Sequence, residues 1–308
     1  MSKKKDPTPW REVHGILLLD KPPGLSSNQA LQKARRLFLA AKGGHTGSLD
    51  PMATGLLPLC FGEATKIAGY LLGSAKAYQA TVRLGATTTT GDADGEILER
   101  RPVPVLDRDA IEAALAPLRG RIIQVPPVYS ALKLGGVPLY KRARDGEDVS
   151  AAPREVDVFR LDLRHRDGDE LELDVECGSG TYVRSLARDL GEALGCGAHL
   201  VGLRRTWVEP FRQPRMHGLD ELERLLLTQG REAIDALLLD TDAGLAALPV
   251  VTLDTTQAQQ LVQGQPVAGC GAAQALCRVH GPGGRLLALG EVDAGGLLRV
   301  RRGLNLPA

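Results

Sequence analysis

Aromatic side chains are scarce in this chain: four Phe, five Tyr and two Trp in 308 residues. Large rings can therefore supply only a small part of the core, and a Tyr outside an apolar run calls for a reason. Cysteine is sparse too. The five present (Cys60, Cys177, Cys196, Cys270, Cys277) are odd in number and scattered, with no CxxC pair. That spacing fits neither a disulfide framework nor a zinc site and suits a reducing compartment. The six histidines show no metal-ligand spacing either. No run approaches the ~18 apolar residues of a membrane span. The start, Met1-Ser2-Lys3-Lys4-Lys5-Asp6, has no apolar stretch behind it, so no secretory signal is expected. These absences point to a cytoplasmic protein.

The most informative scarcity is local. From Lys21 to Leu49 there are five cations (Lys21, Lys33, Arg35, Arg36, Lys42) and no Asp or Glu. The first acid after this gap is Asp50, in the glycine-rich stretch Gly43-Gly44-His45-Thr46-Gly47-Ser48-Leu49-Asp50-Pro51. It can open a turn, pair with one arginine, or do chemistry on a polyanion. On spacing alone the Asp-Pro turn is the commonest of the three. Lys133 to Arg144 is a second acid-free basic segment, whereas Asp167 to Glu176 alternates acids. A chain of net charge +1 that segregates its charges in this way can offer a basic face to nucleic acid. Solvated faces with no partner would give the same pattern.

The periodicities predict an α+β protein. His14–Asp20 reads as a strand stopped by Lys21-Pro22-Pro23-Gly24. Ser26 or Ser27 can cap a helix with apolar positions at Ala30, Leu31, Ala34, Leu37, Phe38 and Ala41. Beyond Asp50 the expected order is a strand at Leu56–Phe61, a short helix at Glu63–Leu72, a strand at Ala77–Leu84 and a helix at Asp109–Leu118. Prolines, glycines and cations at about 124–153 describe an excursion from the core. Glu155–His165 and Glu170–Cys177 form a hairpin pattern around Asp167-Gly168-Asp169. A helix at Thr181–Leu194, a strand at His199–Val208 and a helix at Asp220–Leu239 follow. From about Pro249, short strands between glycine turns suggest a small β-rich domain. The expected division is a basic tail at 1–12, a catalytic or binding domain at 13–245, and the small domain at 246–308.

Two further features carry chemistry. Arg184 lies in the first turn of its helix, off the apolar stripe, where the helix dipole opposes a cation by roughly 0.3–1 kcal/mol. A carboxylate or phosphate nearby is the simplest compensation. Gly178-Ser179-Gly180 at the helix entrance offers backbone N–H groups suited to an anion, a weak signal alone. Tyr78 opens a strand; most such tyrosines are core, but a ring there can stack on an unstacked base, as Tyr182 could. Asp92-Ala93-Asp94-Gly95 begins like a calcium loop but lacks the remaining oxygen ligands, so it reads as a turn.

At this point five stretches together resemble one family. HGILLLDKPPGLSS, GGHTGSLDPMATGLLPLCFGEATK, KAYQATVRLGATTTTGDADGE, VPPVYSALK and GTYVRSLARDLGEALGCGAHLVGLRR occur in the order found in bacterial TruB-type tRNA pseudouridine synthases. The likeness covers about residues 13–210, and the tail resembles, more loosely, that family's PUA-like domain. It implies a mixed, mainly antiparallel central sheet flanked by helices, with a thumb loop at about 124–153. It implies isomerisation of uridine 55 in the tRNA T-arm to pseudouridine, by base flipping, with no cofactor or metal. By resemblance Asp50 is the catalytic carboxylate, Tyr78 the ring stacked on the uracil, and Arg184 the partner of Asp50. An arginine there should hold the carboxyl ionised by lowering its pKa. His45, Tyr182, Leu203 and Lys21 match substrate-contacting or site-supporting positions. Lys42, Lys133, Lys141 and Arg142 are expected on RNA phosphates. The expected partner is the tRNA T-arm stem-loop, with no membrane, no obligate protein partner and a monomeric state. An RNA chaperone acting through the same basic surface, and a guide-RNA-dependent relative within a larger particle, are the competing readings.

Overall fold

The computed structural model describes residues 9–71, 75–130, 132–145, 147 and 149–306. Lys3, Lys4 and Lys5 of the expected tail lie outside them. Trp10 and Arg11, its far end, are docked: Arg35 lies 4.3 Å over the Trp10 ring and Arg11 pairs with Asp235 at 2.6 Å.

Strand β1 (Gly15–Lys21) stops at Pro22, and helix α1 (Ser27–Phe38) follows. Ser26 accepts from the Gln29 N–H while Gln29 reaches back to the Ser26 N–H, a complete capping box. The glycine-rich stretch before Asp50 begins with strand β2 (Gly43–His45), paired antiparallel to β3 (Thr54–Phe61). Gly43 permits this approach, because a Cβ there would crowd Leu31 at 3.3 Å. The helix expected at 63–72 is two 3-10 turns, Gly62–Lys66 and Ala68–Leu71, and Leu72 lies outside the described residues. Next come β4 (Lys76–Leu84), the hairpin β5 (Ala86–Thr88) and β6 (Ile97–Arg100), and α2 (Arg108–Leu115), capped by Asp107. Gly120 opens β7 (Gly120–Gln124). The excursion then contains β8 (Lys133–Leu134), β9 (Val137–Pro138) and α3 (Leu139–Arg144).

The long hairpin is β10 (Arg154–Asp167) and β11 (Glu170–Cys177), followed by α4 (Val183–Ala193), β12 (Ala198–Val208) and β13 (His217–Gly218). The helix expected at 220–239 is split at Gly230, whose φ of 84° and ψ of −174° no helix tolerates, into α5 (Leu219–Gln229) and α6 (Arg231–Asp235). The tail holds β14 (Val250–Thr252), α7 (Thr255–Val262), β15 (Gln274–His280), β16 (Leu286–Val292) and β17 (Leu298–Gly303). Helix α7 was not anticipated, although Asp254 and Gln257 form its capping box.

Among the described residues the central sheet has nine strands, ordered β13-β1-β3-β12-β4-β11-β10-β7 with β2 added to β3. Its pairings are antiparallel except β1 with β13 and β12 with β3. The fold is thus α+β with a mixed, mainly antiparallel sheet, as expected. Helices α1, α2, α4, α5 and α6 bury one large apolar cluster against it. A second cluster joins Ile16, Leu18 and Leu56 to Leu286, Leu289 and Leu304, so the C-terminal β-rich unit is packed onto β1 and β3.

Candidate active site

The segment after β2 is fixed from two sides. Ser27, in the first turn of α1, accepts from the Leu49 N–H at 2.7 Å and donates to the Leu49 carbonyl at 3.1 Å. From β1, the Lys21 ammonium donates to the carbonyls of Pro22, Pro51 and Ala53 at 2.9, 3.1 and 2.7 Å. Lys21 is fully buried, which corrects its expected place among the surface cations and substrate contacts: it holds the Asp50 turn from beneath. Burial, then the charge of Arg205, depress its pKa against the pull of Asp50, to about 8. The turn reading of Asp50 also holds, since its carbonyl accepts from the Ala53 N–H at 3.1 Å.

Arg184 supplies the predicted partner. Its Nη2 donates to Asp50 Oδ1 at 3.1 Å and its Nε lies 3.0 Å from Oδ2, off the N–H direction. Nη1 donates to the Thr90 carbonyl at 2.9 Å and faces Asp92 Oδ2 at 3.5 Å, while Nη2 also reaches the Tyr129 carbonyl at 2.9 Å. The side chains of Arg184 and Asp92 are 4% and 5% exposed, but that of Asp50 is 36% exposed. One arginine therefore joins a sealed carboxylate to an open one. The expectation of a lowered Asp50 pKa is corrected: desolvation outweighs Arg184, and with Asp92 and Asp94 nearby the net direction is upward.

Asp92 was missed by sequence reasoning. It does sit in a turn, accepting from Thr90 Oγ1 at 2.5 Å and from the Asp94 N–H at 3.1 Å, and the turn signal hid its second oxygen. Arg205 was missed as well. It is fully buried, donates to the Leu56 carbonyl at 2.7 Å and the Gly47 carbonyl at 3.1 Å, and stands directly across from Tyr78 in the β4–β12 ladder. Alternation along β12 could have found it, because Leu203 and Arg205 share a face. Gly55 lets β3 close on this point, since a Cβ there would meet the Arg205 carbonyl oxygen at 2.2 Å. Tyr78 is buried, and desolvation, opposed by Arg205, raises its pKa, so it stands as a neutral phenol.

Leu203 lies across from Ala80, two register positions from Tyr78, and is buried. His45 is half-buried in β2; burial and then Arg205 depress its pKa, leaving it uncharged at neutral pH. Tyr182 is the N-cap of α4, with the Arg154 guanidinium 5.1 Å over its ring. The anion expectation for Gly178-Ser179-Gly180 fails in part, because the Gly178 N–H is taken by the Asp157 carbonyl at 2.8 Å. Asp50, Arg184, Tyr78 and Lys21 are thus brought together. Lys42 is exposed, Lys141 is exposed on α3, and Arg142 pairs with Glu147 at 3.1 Å. The Lys133 side chain lies outside the described residues.

This constellation can be set beside known proteins. The model of the TruB family pseudouridylate synthase N-terminal domain matches residues 35–183, and that of the tRNA pseudouridylate synthase B C-terminal domain matches 184–246. The model of the pseudouridine synthase II TruB C-terminal region matches 249–304. A tRNA pseudouridine synthase B from Xanthomonas axonopodis pv. citri (strain 306) is 58% identical over 97% of this chain and 98% of its own. A protein of the same name from Stutzerimonas stutzeri (strain A1501) is 52% identical over 95% and 96%. Among solved structures, a Cbf5-Nop10-Gar1 complex matches with a TM-score of 0.69 at 24% identity, covering 99% of this chain and 87% of that one. An H/ACA RNP bound to a substrate RNA containing 2'-deoxyuridine gives 0.70 at 21%, covering 99% and 93%. At those identities the solved structures speak for the fold alone, while the curated relatives and the family models agree along nearly the whole length: the chain belongs to the TruB family of pseudouridylate synthases.

Proposed function

We propose that this protein converts uridine 55 in the T-loop of tRNA to pseudouridine, acting alone on the RNA. The observation that carries the reading is an open carboxylate, Asp50, held by an arginine whose other side is anchored on buried Asp92. Cleavage of the C1′–N1 bond leaves positive character on the sugar, which an ionised carboxylate beside C1′ stabilises or captures. The freed uracil turns and rejoins through C5; C5 loses a proton and N1 gains one. No atom or electron is left over, so the isomerisation calls for no redox partner or co-substrate.

The base has to leave its stack, at a cost of a few kcal/mol, before Asp50 can reach C1′. A Tyr78 ring fixed between strands and an uncharged His45 are suited to offset that cost by stacking. Lys42, Lys133, Lys141 and Arg142 would contact phosphates and give binding its salt dependence.

Tritium release from C5-labelled uridine in tRNA tests the chemistry. Asp50→Asn should abolish release yet bind tRNA, which also separates catalysis from a chaperone activity on the same surface. Near-normal turnover by Asp50→Asn would remove Asp50 from the reaction. Mapping carbodiimide adducts on the product should place the modification at position 55. Turnover of a bare T-arm stem-loop by purified protein would dispose of any need for a guide RNA.

A further inference from the structure

The thumb excursion meets the catalytic helix through a side chain that the reaction as described does not use. Gln124, the last residue of β7, is fully buried, and its amide spans the backbone of Tyr182. Its Oε1 accepts from the Tyr182 N–H at 2.8 Å and its Nε2 donates to the Tyr182 carbonyl at 3.2 Å. Tyr182 is the N-cap of α4 and has no capping side chain of its own. The first four N–H groups of a helix lack intrahelical partners. Gln124 satisfies the N-cap one from a different strand, as the third helical residue does in a capping box. The Tyr182 carbonyl meanwhile accepts from the N–H groups of Ser185 and Leu186 at 3.1 and 3.2 Å. One amide therefore sets where α4 begins, and Arg184 is the second residue of that helix.

The next residues of the excursion join the same turn. The Val125 carbonyl accepts from Ser185 Oγ at 2.9 Å and from Arg188 Nη2 at 3.2 Å, and the Tyr129 carbonyl accepts from Arg184. Arg154, across the ladder from Gln124, covers the Tyr182 ring. The thumb root and the first turn of α4 form one hydrogen-bonded unit that contains both Arg184 and Tyr182.

We propose that Gln124 is a positioning residue: it fixes the start of α4 so that Arg184 meets Asp50 and Tyr182 faces the substrate, and it ties both to the root of the thumb. The inference rests on the reading of Asp50 and Arg184 as the catalytic pair. The site takes a donor and an acceptor on two separate atoms of one planar terminus, an arrangement that an amide or a protonated carboxyl supplies.

That equivalence supplies the test. Gln124→Glu keeps the shape; ionised, it accepts from the Tyr182 N–H but opposes the Tyr182 carbonyl, and protonated it donates again. The charged side chains bonded into this unit are Arg154, Arg184 and Arg188, with Asp50 and Asp92 paired to Arg184 and Asp189 paired to Arg188. Single-turnover rates on tRNA, each divided by the wild-type rate at the same pH, cancel the titration of Asp50. The Gln124→Glu ratio should rise roughly tenfold from about pH 8 to about pH 5.5, the worth of about one hydrogen bond. Gln124→Met should give a low ratio that does not change with pH, with tRNA affinity retained. A pH-flat Gln124→Glu ratio, or a wild-type rate in Gln124→Met, overturns the proposal. Should neither variant fold, amide exchange in the wild-type protein decides: the Tyr182 N–H should be protected without RNA, and fast exchange overturns the proposal. An inactive wild-type protein would instead sink the proposed function.

Discussion

Asp50 and Asp92 carry the same functional group on the same arginine and differ in what surrounds them. Asp92 is sealed, its Oδ1 hydrogen-bonded and its Oδ2 facing Arg184, so it serves as a fixed counter-charge; Asp50 keeps a face to solvent. Lysine cannot replace the planar fork that reaches both. Arg184→Lys should fold and lose roughly 100-fold or more in single-turnover rate. Arg184→Leu should in addition lower the melting temperature, because removing one partner leaves buried charge uncompensated. The pH profile follows from two residues. The raised pKa of Asp50 puts the acid limb above the ordinary carboxylate range. The alkaline limb should begin at about 8, where Lys21 loses a proton and one of its three carbonyl contacts turns repulsive. Stability should not follow it: a lysine with a depressed folded pKa binds fewer protons folded than unfolded between about 8 and 10.5, so its contribution to stability rises with pH there. Lys21→Met should abolish that alkaline limb at a lower plateau, and a limb that persists would assign it elsewhere. Asp50 was legible because no other acid lies near it in sequence, and the anion near Arg184 because a cation at a helix start needs one. Lys21 was misplaced for a physical reason. A central strand is buried on both faces and loses the alternation that reports depth, as β1 does with six of its seven residues buried.

At the scale of elements, capping chemistry proved the best guide and apolar count the poorest. A cap at Ser26 or Ser27 announced α1, and the capping-box signature at Asp254 and Gln257 went unread because the surrounding glycines suggested strands. Asp254→Ala should cost about 1 kcal/mol of stability in a denaturant titration. Strand β7 was illegible since its pattern, exposed at three of five positions and buried only at Gln124, carries no core signal; its identity comes from pairing with β10. The thumb was visible as an excursion, but its attachment to α4 runs through backbone carbonyls that no residue type reveals. Its cations can be tested together. Replacing Lys133, Lys141 and Arg142 by Ala should weaken tRNA binding and reduce the slope of log K against log salt by about 0.7–0.9 per lost phosphate contact. An unchanged slope would take the thumb off the RNA surface. Arg142, already paired with Glu147, should contribute the smaller share of what is lost.

For the whole molecule, the apolar seam between β1, β3 and the C-terminal sheet is the dominant long-range contact outside the catalytic core. Leu286, Leu289 and Leu304 are buried in it, the Asn305 N–H donates to Glu63 at 2.7 Å, and Lys66 donates to the Gly303 carbonyl at 3.3 Å. Leu289→Ala should cost about 2–5 kcal/mol and move the thermal unfolding of both units together; two separated transitions in the wild-type protein would contradict that coupling. No charge pattern or motif foretold the seam, which depends on which apolar faces meet after folding.

The position of β12 between β3 and β4 has a consequence for biosynthesis. Those two strands are close in sequence yet do not pair; each waits for a segment more than a hundred residues downstream. Such separation makes closure of the sheet slow relative to a helical protein of this size. While the chain is still being translated, β3 and β4 present open edges next to the Asp50 turn, and Arg184 and Arg205 have yet to leave the ribosome. If Arg184 holds Asp50 as proposed, the nascent chain lacks a complete site until its last central strand has emerged, and a chaperone shielding those edges would act in that interval.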